Sequence, residues 1–481
     1  MTHNFFQNIH EALNRLPEEE LIVWPSGEAG TAAVSFTGND LQKQIAATRH
    51  TIENEQVQKG QQVMLAIPVS ISLICSLLAV MAAGAVPVLP PAKASKFMLL
   101  KLLYHSNVQA ILTIGKRSLT FRLLARVLNI KLISLNQAAN SITATWLPPT
   151  PVSPEQPALI SHSSGSTGKP KAIYRSHRIL QAQHQVLTQI FPPWPGLRDF
   201  PLFPNILLHN LSLGTTSILP DLPWADLTQL NPARIVEQIK KQQIDTITGN
   251  LYYFRKLLQY LQQHNIVLSQ VKAVGLGGSP ITERLAHDLK TVFPLATVYI
   301  IYGSSEAEPI AVREVGAVRE DPQKGYAVGA VHASLECKIE SIGEIVLPGG
   351  GAFSVGEIQV RGAHVVASGK DGWLSTGDFG YLDRNKNLYL TGRKGNEQLH
   401  QGVQHYQLEH VLQHQPGILQ AAAIATATGF DIYLEGTAKE ADIREALRQY
   451  FPVPVIKGIY FREHLPVDSR HHSKILYAKI T

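Results

Sequence analysis

Over the first three hundred residues the hydrophobic positions fall into short dense runs, separated by stretches with helical spacing. Val63–Ile67, Val86–Leu89, Ala110–Ile114 and Lys131–Leu135 have the length and content of short buried strands. Ala94–Ser106 and Ser118–Leu128 carry helical patterns between them. The same style resumes at Asp245–Thr248, Ala273–Leu276 and Val298–Ile301, the last running straight into YGSSEAEP. Such alternation predicts an α/β architecture. After about Val312 the rhythm changes to strand–turn–strand: GEIVLPGGG, VGEIQVRG and GYLDRNKNLYLTGR place Gly, Asp and Asn between alternating runs. From Gly395 to Thr481, helical patterns (Gln407–His414, Ala441–Tyr450) mix with short strands (Ala421–Ala425, Ile432–Glu435, Ile459–Phe461). The expected organisation is therefore a large N-terminal domain, residues 1–394, of layered α/β subdomains plus a β-rich subdomain. A small α+β C-terminal domain, residues 395–481, follows a hinge near Arg393–Gly395.

Val63–Leu89 carries no charge and is long enough to span a membrane. Pro68, Gly84 and Pro87 divide it into strand (VMLAI), helix (SLLAVMAAG) and strand (AVPVL), which reads as a buried βαβ unit. No transmembrane segment is expected. The N-terminus lacks the basic and apolar regions of a signal peptide. WLPPTPVSPEQP, Trp146–Pro157, reads as a connector. The 481 residues suffice for several cores, and the net charge of +6 is scattered, with no run of five basic residues. That excludes a nucleic-acid arm and suits anionic small molecules. Two distant cysteines, Cys75 and Cys337, exclude a CxxC zinc site and make a reducing, cytoplasmic compartment the default.

The stretch SHSSGSTGKPKAIYRSH, Ser161–His177, is a run of hydroxyls and glycines ending in cations. It is not a Walker loop: Lys169 is followed by Pro170, and the upstream glycine, Gly165, is three residues from Gly168 rather than five. Glycines still permit close backbone approach, N–H groups and hydroxyls donate to phosphate, and lysines neutralise it. Taken alone, a mobile Ser/Gly linker remains a competing reading.

Four companions change that balance. Tyr302-Gly303-Ser304-Ser305-Glu306 follows an apolar strand, Ser375-Thr376-Gly377-Asp378 follows Trp373, Gly392-Arg393-Lys394 follows another strand, and Lys474 sits in LPVDSRHHSKI. In this order, and together with the Gly277–Pro280 turn and VGEIQVRG, the set resembles the adenylate-forming superfamily of acyl-CoA synthetases, luciferases and peptide-synthetase adenylation domains. The resemblance covers nearly the whole chain. It implies attack of a carboxylate on the α-phosphorus of ATP with release of pyrophosphate, a reaction governed by positioning and charge stabilisation.

The resemblance assigns Ser163, Ser164, Gly165, Ser166, Thr167, Gly168, Lys169 and Lys171 to the β- and γ-phosphates, with Thr167 among the catalytic groups. Tyr302 stacks on adenine opposite Gly278, Ser279 and Pro280, with Gly303, Ser304 and Ser305 completing the nucleotide site. Glu306 ligates Mg²⁺, and Asp378 and Arg393 hold the ribose. Lys474 bridges carboxylate and α-phosphate as charge develops. Gly395 stands where the family often carries a hinge Asp or Lys, and Gly402 and Glu409 match its next motif. His410 and His414 are four apart on an expected helix; without an HExxH pattern they read as a solvated helix face. His471 and His472 shape the loop that carries Lys474.

Phe200–Leu222 (FPLFPNILLHNLSLGTTSILPDL) and LPVDSRHHSKI resemble the β-lactone synthetases of olefin biosynthesis. That implies adenylation of a 3-hydroxy fatty acid, whose own hydroxyl then displaces AMP, with no CoA. The alternative is an acyl-CoA synthetase, or an acyl-AMP ligase passing the acyl group to carrier-protein phosphopantetheine. A non-catalytic adenylate-binding scaffold is the reading from another class; the retained Lys169, Lys171, Glu306, Asp378, Arg393 and Lys474 speak against it. Expected cofactors are ATP and Mg²⁺. The expected partner is a small-molecule carboxylic acid, with an acyl carrier protein or enzymes of the same pathway left open. His209, Asn250 and Gly277 are the candidate acyl-pocket residues, the segment around His209 being equally readable as core packing.

Overall fold

A computed structural model describes residues 3–480 apart from 26–32, 92–95, 116–121, 123–124, 136–143, 164–170, 225, 317–320, 348–350, 368–370, 452–454 and 469–471. The chain divides into two compact units, Met1–Asp226 and Leu227–Thr481. The boundary expected at 394/395 falls inside the second unit.

The first unit contains β1 (Glu20–Trp24), β2 (Val34–Thr37), β3 (Gln62–Ala66), β4 (Val86–Val88), β5 (Val108–Ile114), β6 (Lys131–Leu135), β7 (Pro157–Ser163), β8 (Lys171–Ser176), β9 (Arg198–Pro201) and β10 (Thr216–Ile218). One sheet runs β6-β5-β3-β4-β7-β8, parallel except for the β7–β8 pair. β9, β10 and β1 run parallel beside each other, with β2 antiparallel to β1. The charge-free segment is strand, helix, strand as expected. Its helix, Ile71–Ala82, begins five residues before the expected start at Ser76, because the Ser70 hydroxyl accepts the Leu73 N–H at 3.3 Å and caps it. Cys75–Ala82 are all buried, so this is a core segment. Among the described residues no helix is long and apolar enough to cross a membrane.

The described ends of the hydroxyl-rich stretch lie on β7 and β8, where Ser163 pairs with Lys171. Not all of its cations are cations. The Arg175 guanidinium donates to the Ser161 hydroxyl at 2.8 Å. His177 is buried at the start of the helix His177–Ile190, its Nδ1 accepts the Phe5 N–H at 2.9 Å, and burial pushes its pKa down to about 4. His209 sits buried on the helix Pro204–Leu213, with Nδ1 2.9 Å from Nδ1 of His184; burial, then the neighbouring His184, lowers its pKa to about 3.

The second unit contains β11 (Thr246–Asn250), β12 (Ala273–Gly277), β13 (Thr297–Ser304), β14 (Ala307–Glu314), β15 (Tyr326–Ala330), β16 (Leu335–Leu347), β17 (Gly351–Gly362), β18 (Leu374–Leu382), β19 (Asn387–Arg393), β20 (Ile418–Ala425), β21 (Phe430–Gly436) and β22 (Ile456–Phe461). β11, β12 and β13 are parallel, and β14 returns antiparallel to β13. An antiparallel sheet β15-β19-β18-β17-β16 realises the strand–turn–strand texture. At the β18–β19 turn, Asp383 accepts the N–H groups of Asn385 and Asn387, both at 2.8 Å, which is the turn chemistry the Asp/Asn cluster predicted. β20-β21-β22 and the helices His405–Gln413 and Glu440–Arg448 enclose a core of their own, including Leu408, Leu412, Phe430, Ile432 and Leu447.

Two buried neutral histidines make the first unit acid-sensitive. The unfolded chain binds protons near pH 6.5 whereas folded His177 and His209 do so near 4 and 3, so stability is full above pH 6.5 and is lost as pH falls toward those values. Four of the five tryptophans, Trp24, Trp146, Trp194 and Trp224, report on this unit. Urea unfolding followed by tryptophan fluorescence should show a loss of about 2 kcal/mol per histidine between pH 8 and pH 5. His177→Asn should flatten part of that slope; a midpoint independent of pH over this range contradicts the assignment.

Candidate active site

Parallel strands expose their carboxyl ends together, and the helix or turn that follows each one brings backbone N–H groups to that edge. In the second unit these ends are Asn250, Gly277 and Ser304, with Tyr302 just before the end of β13. Gly278 follows with φ +85°, a left-handed conformation that bends the chain into the Ser279–Pro280 turn at little cost only for glycine. The turn, Tyr302 and Gly303 line one cavity, together with Asp378, Arg393 and Lys474.

Asp378 is the centre of this arrangement. It pairs with Arg393 in the β18–β19 register. Its Oδ1 accepts from Arg393 Nη1 at 2.6 Å and its Oδ2 accepts from the Tyr302 hydroxyl at 3.0 Å. Its own N–H donates to the Thr376 hydroxyl at 3.1 Å. The carboxylate raises the Arg393 pKa, and burial followed by Asp378 raises that of Tyr302 well above the ordinary phenol range, so both remain donors. Two bonds leave lone pairs on Asp378 for further hydroxyl donors.

The network continues into the C-terminal segment. The Arg393 N–H donates to Nε2 of His405 at 2.9 Å. That nitrogen therefore carries a lone pair, and Nδ1–H of His405 faces Glu409 Oε1 at 3.0 Å. Glu409 also receives the Ala423 N–H at 3.0 Å and the Tyr477 hydroxyl at 2.9 and 3.0 Å. Tyr326, Tyr406 and Tyr477 complete the aromatic wall of the cavity. Tyr406 and Tyr477 are held protonated, chiefly by burial.

Lys474 lies on a closed loop. Its N–H donates to Asp468 Oδ1 at 3.0 Å, the Asp468 N–H returns to its carbonyl at 2.9 Å, and Val467 bridges Ile475. The neighbouring Ser473 hydroxyl lies 2.6 Å from that of Ser279, tying this loop to the Gly278–Pro280 turn. The His472 ring lies 5.4 Å from that of Tyr252, consistent with a loop-shaping role, while His471 lies outside the described residues.

The remaining expected residues divide as follows. Ser164, Gly165, Ser166, Thr167, Gly168 and Lys169 lie outside the described residues; Ser163 and Lys171 flank them on the first unit's hairpin. Ser304, Ser305 and Glu306 are not among the described residues lining the cavity. The Ser304 hydroxyl accepts the Glu306 N–H at 3.3 Å, and the Glu306 carboxylate makes no bond with a described residue. Asn250 caps the helix Leu251–Gln263 by accepting the Tyr253 N–H at 2.9 Å, and Gly277 is its register partner. His209 belongs to the first unit, where it is buried with its Nδ1 2.9 Å from that of His184. Gly395 has φ +93° with open space where a side chain would go.

One expectation fails. His410 does not lie on a solvated face: it is 1% exposed, stacks on Tyr326 with centroids 4.3 Å apart, and its Nδ1 meets the Gly325 carbonyl at 3.1 Å. The helix packs its histidine side against β15, which periodicity cannot reveal. Among the described residues no three His, Cys, Asp or Glu side chains gather as a metal cluster. Sequence reasoning passed over His405 and Tyr477, whose only signal was polarity near the Arg393 and Lys474 motifs.

Residues 9–369, three quarters of the chain, match the family model described as "AMP-binding enzyme", and the chain belongs to that family. It is an adenylate-forming, carboxylate-activating synthetase or ligase. An olefin beta-lactone synthetase of Stenotrophomonas maltophilia is 28% identical over 366 residues, covering 67% of this chain and 66% of that protein. One of Xanthomonas campestris pv. campestris is 26% identical over 535 aligned positions, covering 97% and 96%. An indoleacetate–CoA ligase of Aromatoleum aromaticum is 30% identical over 297 residues, covering 57% of this chain and 55% of that one. The fold is that of O-succinylbenzoate coenzyme A synthetase from Bacillus subtilis bound to AMP (TM-score 0.79, 18% identity, 100% and 98% coverage) and of ATP-bound MatB from Rhodopseudomonas palustris (0.82, 16%, 100% and 98%).

Removing the Asp378 charge tests the centre of the site. Asp378→Ala leaves Arg393 and Tyr302 without their acceptor and should cost about 3 kcal/mol of stability. AMP affinity by calorimetry should fall at least about tenfold, the worth of one charge-assisted hydrogen bond. Unchanged melting and unchanged AMP binding would remove Asp378 from the site.

Proposed function

We propose that the protein activates a fatty or 3-hydroxy fatty acid as its acyl-adenylate, using ATP and Mg²⁺, and then closes a β-lactone. In the first step a carboxylate oxygen attacks the α-phosphorus and pyrophosphate leaves with the bonding pair. In the second the substrate's 3-hydroxyl oxygen attacks the acyl carbon, AMP leaves, and the hydroxyl proton is released. The observation that carries the first step is that Lys474 shares one cavity with Tyr302, Asp378 and Arg393. A cation held there by the Asp468 loop and the Ser279–Ser473 contact stands beside the place where charge develops.

Each group has a task within its chemistry. Tyr302 and the Gly278–Pro280 turn sandwich the base. Asp378 accepts from ribose hydroxyls while Arg393 fixes it. The hydroxyls and lysines of Ser163–Lys171 are assigned to the pyrophosphate on their chemistry alone. Glu306 fits Mg²⁺, since its carboxylate makes no bond with a described residue and this ion takes one or two carboxylates beside phosphate oxygens and waters. When bound, the ion neutralises phosphate charge. Residues 395–481 act as a lid turning at Gly395, whose left-handed backbone and open surroundings absorb a change of φ and ψ.

Lactone closure is favoured over transfer to a thiol by the two β-lactone synthetase relatives, one matching along 96% of its length. The second reading, an acyl-CoA or carrier-protein ligase, rests on relatives such as the indoleacetate–CoA ligase, matched over about half their length. Pyrophosphate release with a panel of acids, half bearing a 3-hydroxyl, separates them. Sustained turnover on 3-hydroxy acids without CoA is expected; turnover only after a thiol is added would replace lactone closure with ligation. Silence with every acid and acceptor would overturn both.

Lys474→Ala should slow acyl-adenylate formation by about 10²–10³ while AMP affinity stays within about twofold, because its charge acts at the transition state. Equal single-turnover rates would remove that role. Glu306→Gln should shift the Mg²⁺ titration of activity to higher concentration; an unmoved titration would take Glu306 out of the metal site.

A further inference from the structure

The helix Leu251–Gln263 begins at the Asn250 cap, beside the Gly278 turn. Its residues Leu251 and Arg255, four apart and so on one face, both line the nucleotide cavity. The next residue, Lys256, is exposed and lies over the Tyr252 ring. Arg255 is therefore not one more surface cation. Its side chain is only partly open to solvent, and it faces the enclosed space that also holds Asp378, Arg393 and Lys474.

Arg255 makes no hydrogen bond and no ion pair with any described residue. The neighbouring carboxylates and phenol are already engaged. Glu409 takes bonds from Ala423 and Tyr477 and faces His405. Glu435 accepts the Leu465 N–H at 3.0 Å and faces His464. Tyr326 is stacked on His410. Arg393, by contrast, has Asp378 at 2.6 Å. A guanidinium drawn out of water without an acceptor is unfavourable, and this one has five N–H donors to place. Burial accordingly lowers its pKa, with Tyr326 and Glu435 only partly offsetting it.

We propose that Arg255 is an anion-binding residue of this cavity, which takes an oxyanion of the bound ligand, phosphate or carboxylate. Gln413, Gln420, Lys474 and Tyr477, which line the same space, come from the C-terminal segment. Closing that segment over an empty cavity strands the Arg255 charge; closing it over an anion neutralises the charge. Arg255 thus makes closure depend on occupancy. The inference deepens the proposed function and rests on it for the nature of the ligand.

The test compares AMP with adenosine, which differ only in the phosphate, on wild type, Arg255→Met and Arg255→Lys, with the KM for the acid measured in parallel. Arg255→Met keeps the stem and removes the charge. A loss of about tenfold or more on AMP with adenosine unchanged, partly restored in Arg255→Lys, would identify the phosphate as the partner. Unchanged AMP binding with a tenfold higher KM for the acid would identify the carboxylate; either result supports the proposal. AMP, adenosine and acid all within twofold of wild type would overturn it. Should Arg255→Met not fold, Arg255→Gln, which also removes the charge, carries the same comparison. Failure of wild type to bind AMP would count against the proposed function, not against Arg255 specifically.

Discussion

One carboxylate, Asp378, holds the second unit's site in register. Its two oxygens accept from side chains on two different strands, the Tyr302 hydroxyl near the end of β13 and the Arg393 guanidinium at the end of β19. Those strands belong to different sheets, so the contact fixes the aromatic ring against the β-rich layer. Because the carboxylate is largely buried, each donor is strong and each loss would leave a desolvated group behind. The backbone of Arg393 then passes the constraint to His405, and His405 passes it to Glu409 and Tyr477. The same chain of bonds that holds Asp378 and Arg393 therefore reaches the segment carrying Lys474. In the proposed function, nucleotide binding and the lysine charge are set by one network.

That economy suits the chemistry. Adenylation offers the protein little covalent work, so rate comes from where charges stand when pyrophosphate leaves. A lysine on a flexible tail would lose that benefit. Here Asp468 closes the loop on Lys474 and Ser473 ties it to Ser279. Arg255, which makes no hydrogen bond or ion pair with a described residue, adds a second condition under the proposal above: the closed cavity is favoured only when an anion is inside.

Much of this was legible in the sequence, for physical reasons. Buried parallel strands must be apolar along both faces, so Val63–Ile67 announces itself. Turn residues such as Asp383 carry their own hydrogen-bonding logic. The ordered motifs located Tyr302, Asp378, Arg393 and Lys474, which the fold brings to one cavity. What stayed hidden depends on contacts distant in the chain. Glu409 and Tyr477 are 68 residues apart, and nothing local marks them as partners. His410 looks solvated by spacing and is buried by stacking on Tyr326. Asn250, a candidate pocket wall, spends its oxygen on capping a helix, and His209 spends its ring on His184. Ser70 starts the helix five residues ahead of the expected Ser76 because its hydroxyl caps it there.

The central claim is that a carboxylate oxygen of the acid attacks the α-phosphorus of ATP. It is tested most directly by labelling the carboxylate of a turned-over acid with ¹⁸O and weighing the AMP produced. The account predicts one labelled oxygen in each AMP, since the bridging oxygen stays on phosphorus whichever acceptor takes the acyl group. Unlabelled AMP would mean that water, not the acid, attacks the nucleotide, and would contradict it.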